Sequence, residues 1–269
     1  MGLKMDLHIH STCSDGTMTP VELVRKYYQE EYGLIALTDH DGIDGVKTAQ
    51  IAGEALGISV ISGIELGTEL SDGPELHILG YYIDIGNPAL NETLAELRKT
   101  RAERNRKLLD VLRSMGYNLT EEDLKQRPDQ VYVGKPNFAL ALQKKGYVKS
   151  PEDAFAPGKF LESPEAKAVR RERITAQKAI ELINGAGGIA SLAHPMKIKG
   201  IGEKGSEEFF HRLEEIVKQL KKAGLKGLEC FHPSATHEQG IALVKLAEKY
   251  KLHVTEGSDY HGPEFEPHQ

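Results

Sequence analysis

Residues 34–45, LIALTDHDGIDG, carry a short apolar run, Leu34 to Leu37, into Asp39, His40 and Asp41 and then into a glycine-bounded turn. Four apolar residues bounded by turn residues read as a buried strand. Asp44 then precedes a helical stretch that ends near Gly57. The same unit recurs along the chain. Further strands are predicted at Leu7 to Ile9, Ser59 to Ile61, Leu76 to Tyr82, Gly188 to Leu192, Gly227 to Cys230 and Leu252 to Val254. Thr19-Pro20-Val21-Glu22 places a capping Thr, a Pro at the first helical position and a Glu at the third, opening a helix that Gly33 closes. Other helices are expected around Thr175 to Asn184, Ser206 to Ala223 and Glu238 to Tyr250. This alternation predicts an α/β fold of parallel strands joined by crossover helices.

The histidines fall where such a fold gathers chemistry. Six of eleven, His8, His10, His40, His77, His194 and His261, sit at or just beyond an apolar run, and Asp15, Glu65 and Asp259 occupy equivalent places. His8 and His10 lie two apart on a predicted strand, so the pleat points both to one side. Asp15 follows in the turn SDG, Glu65 ends SGIEL, His77 enters ELHILGYY and His194 ends LAHP. Asp259 and His261 again stand two apart in TEGSDYHG, as expected if the first and last strands are neighbours in a closed barrel. Nine imidazoles and carboxylates in one place need positive charge among them, and metal ions supply it.

The chain's 269 residues suffice for a single large α/β barrel, and no apolar stretch approaches the ~20 residues of a membrane span. The amino terminus shows no apolar signal core, and only Cys13 and Cys230 are present, which suits a reducing cytosol. Net charge of −6 argues against a broad nucleic-acid footprint. From Asn87 to Glu165 there is little strand pattern: Asn91 is read as capping a helix through Arg113, Pro136 as starting another that ends at Gly146, and Ser150-Pro151 as starting a third. The expected organisation is a barrel of residues 1–86 and 166–269 with residues 87–165 as a helical insert or lid. Arg98, Lys99, Arg101, Arg104, Arg106 and Lys107 read as a solvated face, whereas Arg170, Arg171 and Arg173 lead back to the rim, where a guanidinium is placed to bind an anion in bidentate fashion. Cys13 reads as a small packed residue, and His211, His253 and His268 as surface or packing residues.

HIHSTCSDG, TDHDG, GIE, ELHILGY, LAHP and GSDYHG occur here in one order over nearly the whole chain. In this the chain resembles the polymerase and histidinol phosphatase (PHP) family of metal-dependent phosphoesterases. The resemblance implies a distorted (β/α)7 barrel with a trinuclear site at the carboxyl ends of its strands. It implies one metal on His8, His10, Glu65 and Asp259, a second on Asp15, His40 and His261, and a third on Glu65, His77 and His194, with Glu65 bridging. Asp15, His40, Glu65, His194 and Asp259 form the implied catalytic group, and the ions are three divalent Mn, Zn or Fe. A water between two such ions loses a proton near neutral pH and serves as the nucleophile.

Within the family the chain resembles the free-standing phosphoesterases that release the 3′-phosphate of nucleoside 3′,5′-bisphosphates or trim RNA from its 5′ end, through GKPNFALALQKKGYVKSPEDAF and GLECFHPS. It departs from them in having Asn137 where a His is common, Lys135 for an Arg, and Ala235 with His237 two places on. The implied partner is a small phosphorylated metabolite, a nucleotide or short RNA, with no membrane and no obligate protein partner. Lys135, Arg170, Arg171, Arg173 and His232 are the candidates for binding it. Histidinol phosphate phosphatase is the competing enzyme. A metal-dependent amidohydrolase shares the HxH start but lacks the TDHDG and GSDYHG pair, and a non-catalytic regulatory module is opposed by the complete ligand set.

Overall fold

Thr19 opens α1 (Pro20–Gln29) with a reciprocal capping box: its hydroxyl accepts the Glu22 N–H, and Glu22 Oε2 accepts the Thr19 N–H at 2.8 Å. Thr236 and Gln239 repeat this box at α8 (His237–Lys249), while Thr175 and Ser206 cap α6 (Ala176–Gly185) and α7 (Glu207–Lys222) through their hydroxyls alone. The helix expected after Asp44 is different. α2 (Val46–Leu56) opens at Gly45 without a side-chain cap and ends at Gly57 in the left-handed region, as a glycine allows. The computed structural model describes residues 3–71, 73–128 and 130–263, so His268 lies outside the described residues.

The strands are β1 (Met5–Ile9), β2 (Leu34–Leu37), β3 (Ser59–Glu69), β4 (Glu75–Tyr81), β5 (Ile174–Thr175), β6 (Ile189–Leu192), β7 (Gly227–Phe231) and β8 (His253–Glu256). Seven of them follow the order β1-β2-β3-β4-β6-β7-β8, and β5 pairs with β3 off this path. A bridge between Ile9 and Tyr260, with the His10 N–H donating to Tyr260 O at 2.8 Å, joins the two ends into a nearly closed barrel. One expectation fails here. β4 runs antiparallel to both β3 and β6, because residues 70–74 alone connect β3 to β4 and no crossover helix fits into that length.

The chain divides into two compact units, residues 1–93 with 173–269 and residues 94–172. In the first, Ile9, Ile35 and Leu37 pack against Leu23, Val24 and Tyr27 of α1, each fully or almost fully buried. Burial of each such side chain stabilises by about 1.5–3 kcal/mol. The second has its own core of Leu108, Leu109, Leu112, Phe138, Leu142 and Leu161.

The central helices depart from the sequence reading in three places. α3 (Pro88–Ser114) starts before Asn91, since Asn87 Oδ1 accepts the Leu90 N–H at 3.0 Å and Pro88 takes the first helical position. α4 (Lys135–Lys144) and α5 (Pro164–Ala168) form, but Ser150-Pro151 yields only a 3₁₀ turn over Glu152–Phe155. Asp153 closes that turn by accepting the Ser150 N–H at 2.9 Å. The basic face of α3 is not wholly solvated: Arg101 and Arg104 are buried, and the Arg101 guanidinium lies over the Tyr132 ring at 4.0 Å.

Candidate metal centre

Alternation along β1 turns His8 into the barrel, and His10, just past its end, follows; both side chains are completely buried. β2 ends at Leu37, but its backbone continues to pair: the Asp41 N–H donates to Glu65 O at 2.9 Å and the Glu65 N–H to Asp39 O at 3.2 Å. Glu65 therefore lies within β3 and not at its end, as the sequence pattern suggested. In the β3–β4 register Gly67 stands opposite His77, and Glu65 is the diagonal neighbour on the same face. Gly67 brings no side chain to that face, and His77 Nδ1 reaches Glu65 Oε1 at 2.7 Å.

Glu65 is the hub of the site. Its Oε2 lies 3.3 Å from His8 Nε2, 3.3 Å from His10 Nε2 and 3.0 Å from His40 Nδ1. Its Oε1 takes His77 and, at 3.0 Å, His194 Nε2. Asp259 Oδ1 faces His8 Nε2 and His10 Nε2 at 3.5 and 3.2 Å. Asp15 lies 3.8 Å from His10 Nδ1, 3.7 Å from His40 Nε2 and 3.3 Å from His261 Nε2. The structure brings all nine rim residues together.

The site is charged in ways that burial alone would forbid. Burial pushes His40 down, but Glu65 and Asp15 outweigh it and bring the imidazole up to about 9. Burial likewise opposes the charge on His8, where Glu229, Glu65 and Asp259 hold the imidazole well above its ordinary value. Glu65 and Asp259 stay well below the usual carboxylate range although burial works against them, Glu65 because of His40, His77 and His8, and Asp259 mainly because of His8 and His10. For His194 burial wins over the hydrogen bond to Glu65, and the imidazole falls to about 4.

Of the buried side-chain atoms without a hydrogen bond among the described residues, five lie in this site: His8 Nε2, His10 Nδ1 and Nε2, Asp15 Oδ1 and Glu65 Oε2. Buried polar atoms are normally paired, and these face one another instead. His8 Nδ1 lies 2.9 Å from Glu229 Oε1, which places its proton on Nδ1 and turns the Nε2 lone pair towards the carboxylates. His261 Nδ1 is 2.7 Å from Asp259 O, directing Nε2 at Asp15 in the same way. Once the imidazoles are neutral, their lone pairs converge with the carboxylates in an arrangement that fits a divalent cation. Among the described residues the donor atoms fall into four groups: His8, His10, Glu65 and Asp259; His10, Asp15, His40 and His261; His40, Glu65 and His77; and His8, Glu229 and His232, the last of which shares His8 with the first.

The sequence pattern of the PHP domain matches residues 6–231. The chain belongs to the PHP family. It is 32% identical over 98% of its length to a 5′-3′ exoribonuclease of Haemophilus influenzae, covering 92% of that protein. It is 29% identical to a phosphoribosyl 1,2-cyclic phosphate 1,2-diphosphodiesterase of Eggerthella lenta, over 96% of this chain and 94% of the other. A 3′,5′-nucleoside bisphosphate phosphatase of Chromobacterium violaceum is also 29% identical, over 97% and 88%. Among solved structures, an amidohydrolase from Chromobacterium violaceum with bound sulfate and no metal superposes with a TM-score of 0.84 at 29% identity, covering 97% of this chain and 88% of that one.

The PHP site also uses residues that the sequence reading passed over. Glu229, fully buried on β7, accepts from His8 and from the His194 N–H at 2.6 Å. A charged residue within the apolar run GLECF was the signal for it, since Glu is almost never fully buried without partners. Gly257 makes room beside it: a methyl group there would collide with His8 and stand 2.9 Å from Glu229 Oε1. Asp39 accepts the Ser11 N–H, the Ser11 hydroxyl and the Ser14 hydroxyl at 2.6–2.7 Å, and Asp41 accepts the Gly67 N–H at 3.1 Å. Of the TDHDG trio only His40 faces the other ligand candidates. His194 and Asp259 hold φ of 26° and 55°, strained backbone of the kind that surrounding contacts must enforce.

The candidates for substrate contact divide between the two units. His232 is in the site, with Nε2 3.3 Å from Asp259 Oδ2. Arg173 pairs with Glu75 at 2.8 Å. Lys135, Arg170 and Arg171 belong to the second unit. Asn137 is buried, and its Oδ1 accepts the Gly134 N–H at 2.8 Å, closing the start of α4. Among the described residues no helix is long and apolar enough to cross a membrane.

Proposed function

We propose that this PHP chain hydrolyses phosphate esters of nucleotides, with nucleoside 3′,5′-bisphosphates and the 5′ ends of short RNA as its substrates. In this reading His8, His10, Glu65 and Asp259 hold one divalent ion, Asp15, His40 and His261 a second, and Glu65, His77 and His194 a third. Imidazole nitrogens mixed with carboxylates suit Mn²⁺, Zn²⁺ or Fe²⁺. When bound, such ions lower the pKa of water towards neutrality and oppose the charge on phosphoryl oxygens. The observation that carries the proposal is the set of five buried, unbonded donor atoms around Glu65.

The chain's own groups hold that arrangement. Glu65 spans five imidazoles with two oxygens, so one carboxylate ties the three groups together. Glu229 fixes the ring of His8 and the backbone of His194 at once. Burial, and then Glu229, push the Cys230 thiol up to about 12, so it stays protonated and is no nucleophile. The relatives that act on a bisphosphate nucleotide and on RNA support the substrate class. We place the protein in the cytosol, in keeping with two cysteines that form no disulfide.

The test is hydrolysis by protein loaded with Mn²⁺, Zn²⁺ or Fe²⁺, read as phosphate release from adenosine 3′,5′-bisphosphate and histidinol phosphate, as nucleotide release from 5′-phosphorylated oligoribonucleotides and as ring opening of a ribose 1,2-cyclic phosphate. The bisphosphate or the RNA should lead. Hydrolysis of none of them with any metal would sink the proposal, and a lead for histidinol phosphate would replace the substrate class.

A further inference from the structure

Asp259 divides its two oxygens between different surroundings. Oδ1 faces His8 and His10, whereas Oδ2 lies 2.5 Å from Lys197 Nζ and 3.3 Å from His232 Nε2. His232 Nδ1 accepts the Ser234 N–H at 2.9 Å, which leaves the ring proton on Nε2, aimed at the same oxygen. Two donors thus meet on one side of a carboxylate whose other side belongs to the candidate metal cluster.

Lys197 is tied to the cluster by its backbone as well. It follows His194 by three residues, and its N–H donates to His194 O at 2.8 Å. Its side chain is 47% exposed, and Asp259 is the side chain's only protein partner among the described residues. An ammonium has three donors, so two remain available beside the cluster. A counter-ion that served only to neutralise Asp259 would need one donor and no opening to solvent.

We propose that Lys197 binds the phosphoryl group under attack, donating to an oxygen that is not esterified. This rests on the phosphoesterase reading above. A compact ammonium on a flexible stem is a good phosphate ligand, and it can turn from Asp259 to an incoming anion without moving the backbone. A phosphate monoester carries about −1.5 to −2 charges near neutral pH, against a single charge for a diester. Lys197 therefore favours the monoester reaction on nucleoside bisphosphates over the diester bonds of RNA.

The experiment uses Mn²⁺-loaded wild type, Lys197→Ala, Lys197→Gln and Lys197→Arg. Inorganic phosphate is titrated calorimetrically, metal content is measured on each protein, and kcat/KM is compared for adenosine 3′-monophosphate and bis(p-nitrophenyl) phosphate. A charge-assisted hydrogen bond implies a loss of about tenfold or more in phosphate affinity for the Ala and Gln variants, with partial recovery in the Arg variant and unchanged metal content. The loss in kcat/KM should be larger for the monoester. Unchanged phosphate affinity would overturn the proposal, as would a loss of affinity that tracks a loss of metal, since Lys197 would then act only through Asp259. An equal loss on both esters would overturn the monoester selection. A wild type that cleaves neither these esters nor adenosine 3′,5′-bisphosphate counts against the phosphoesterase reading instead, while the phosphate titration still decides for or against Lys197.

Discussion

Glu229 and His8 face each other at 2.9 Å, Oε1 to Nδ1, with neither side chain exposed to solvent. The other oxygen of Glu229 accepts the His194 N–H, so one carboxylate orients residues of two of the proposed metal groups. Groups that orient ligands from behind typically change metal affinity 10–100-fold when removed. Glu229→Gln turns an amide donor towards one of two existing donors and should lower metal affinity by about that range. Metal titrations of wild type and variant at one pH would show it. Equal affinities would leave Glu229 as packing alone.

Glu65 should be less replaceable than any single imidazole. In Glu65→Gln five imidazoles lose their shared negative charge in a fully buried place. Removing one partner of a buried charged set costs about 3–5 kcal/mol, on the order of a hundredfold or more in metal affinity. Metal per chain should fall below that of His77→Ala, whose ring contacts Glu65 from one side and is partly exposed. Elemental analysis of both variants after identical metal loading tests this order, and retention of the full complement by Glu65→Gln would remove Glu65 from the hub.

The metal-free protein should lose stability as pH rises above neutrality. His40 is held up to about 9 against an unfolded value of 6.5, so its contribution is complete below 6.5 and disappears as pH climbs through 9. That difference corresponds to a contribution on the order of 3 kcal/mol. His8 acts in the same direction. His194, lowered to about 4, acts oppositely and costs stability as pH falls from 6.5 towards 4. The lowered carboxylates of Glu65 and Asp259 lose their contribution as pH falls below their unfolded values near 4. Metal binding needs neutral imidazoles and gains as pH rises. Thermal melts from pH 6 to 9, with chelator or with Mn²⁺, should therefore diverge, the stabilisation by metal growing across the interval. A constant difference would refute the linkage.

The sequence made the rim legible because its residues follow apolar strands, a relation that needs no tertiary information. The nine ligand candidates and seven barrel strands follow from that rhythm. What escaped it depends on partners distant in the chain. Glu65 looks terminal until the backbone beyond Leu37 pairs with it, and β4 reverses only because residues 70–74 form a tight connection. Arg101 and Arg104 read as solvent-facing by type, yet a Tyr132 ring covers one of them. Asp39 and Asp41 stand beside His40 in the sequence, and only the fold shows Asp39 accepting from the Ser11 loop and Asp41 from the Gly67 N–H of β3.

Asp39 offers the sharpest separation of support from ligation. Its carboxylate gathers three donors from Ser11 and Ser14, which fixes the loop that carries Asp15, and it is almost fully buried. Asp39→Ala leaves those donors without their acceptor, at about 1–3 kcal/mol for each one that stays buried and unpaired. Chemical denaturation should show a loss of about 2–4 kcal/mol, since the loop can relax and recover part of the cost. The loss should also be local in its consequences. Asp15 belongs to the group with His10, His40 and His261, whereas His77 and His194 are held from β4 and the end of β6. Metal content after loading should therefore fall by about one ion per chain, with the remainder still bound. A variant that keeps every ion while losing stability would make Asp39 a purely structural residue, and one that loses all ions together would show that the three groups do not fill independently.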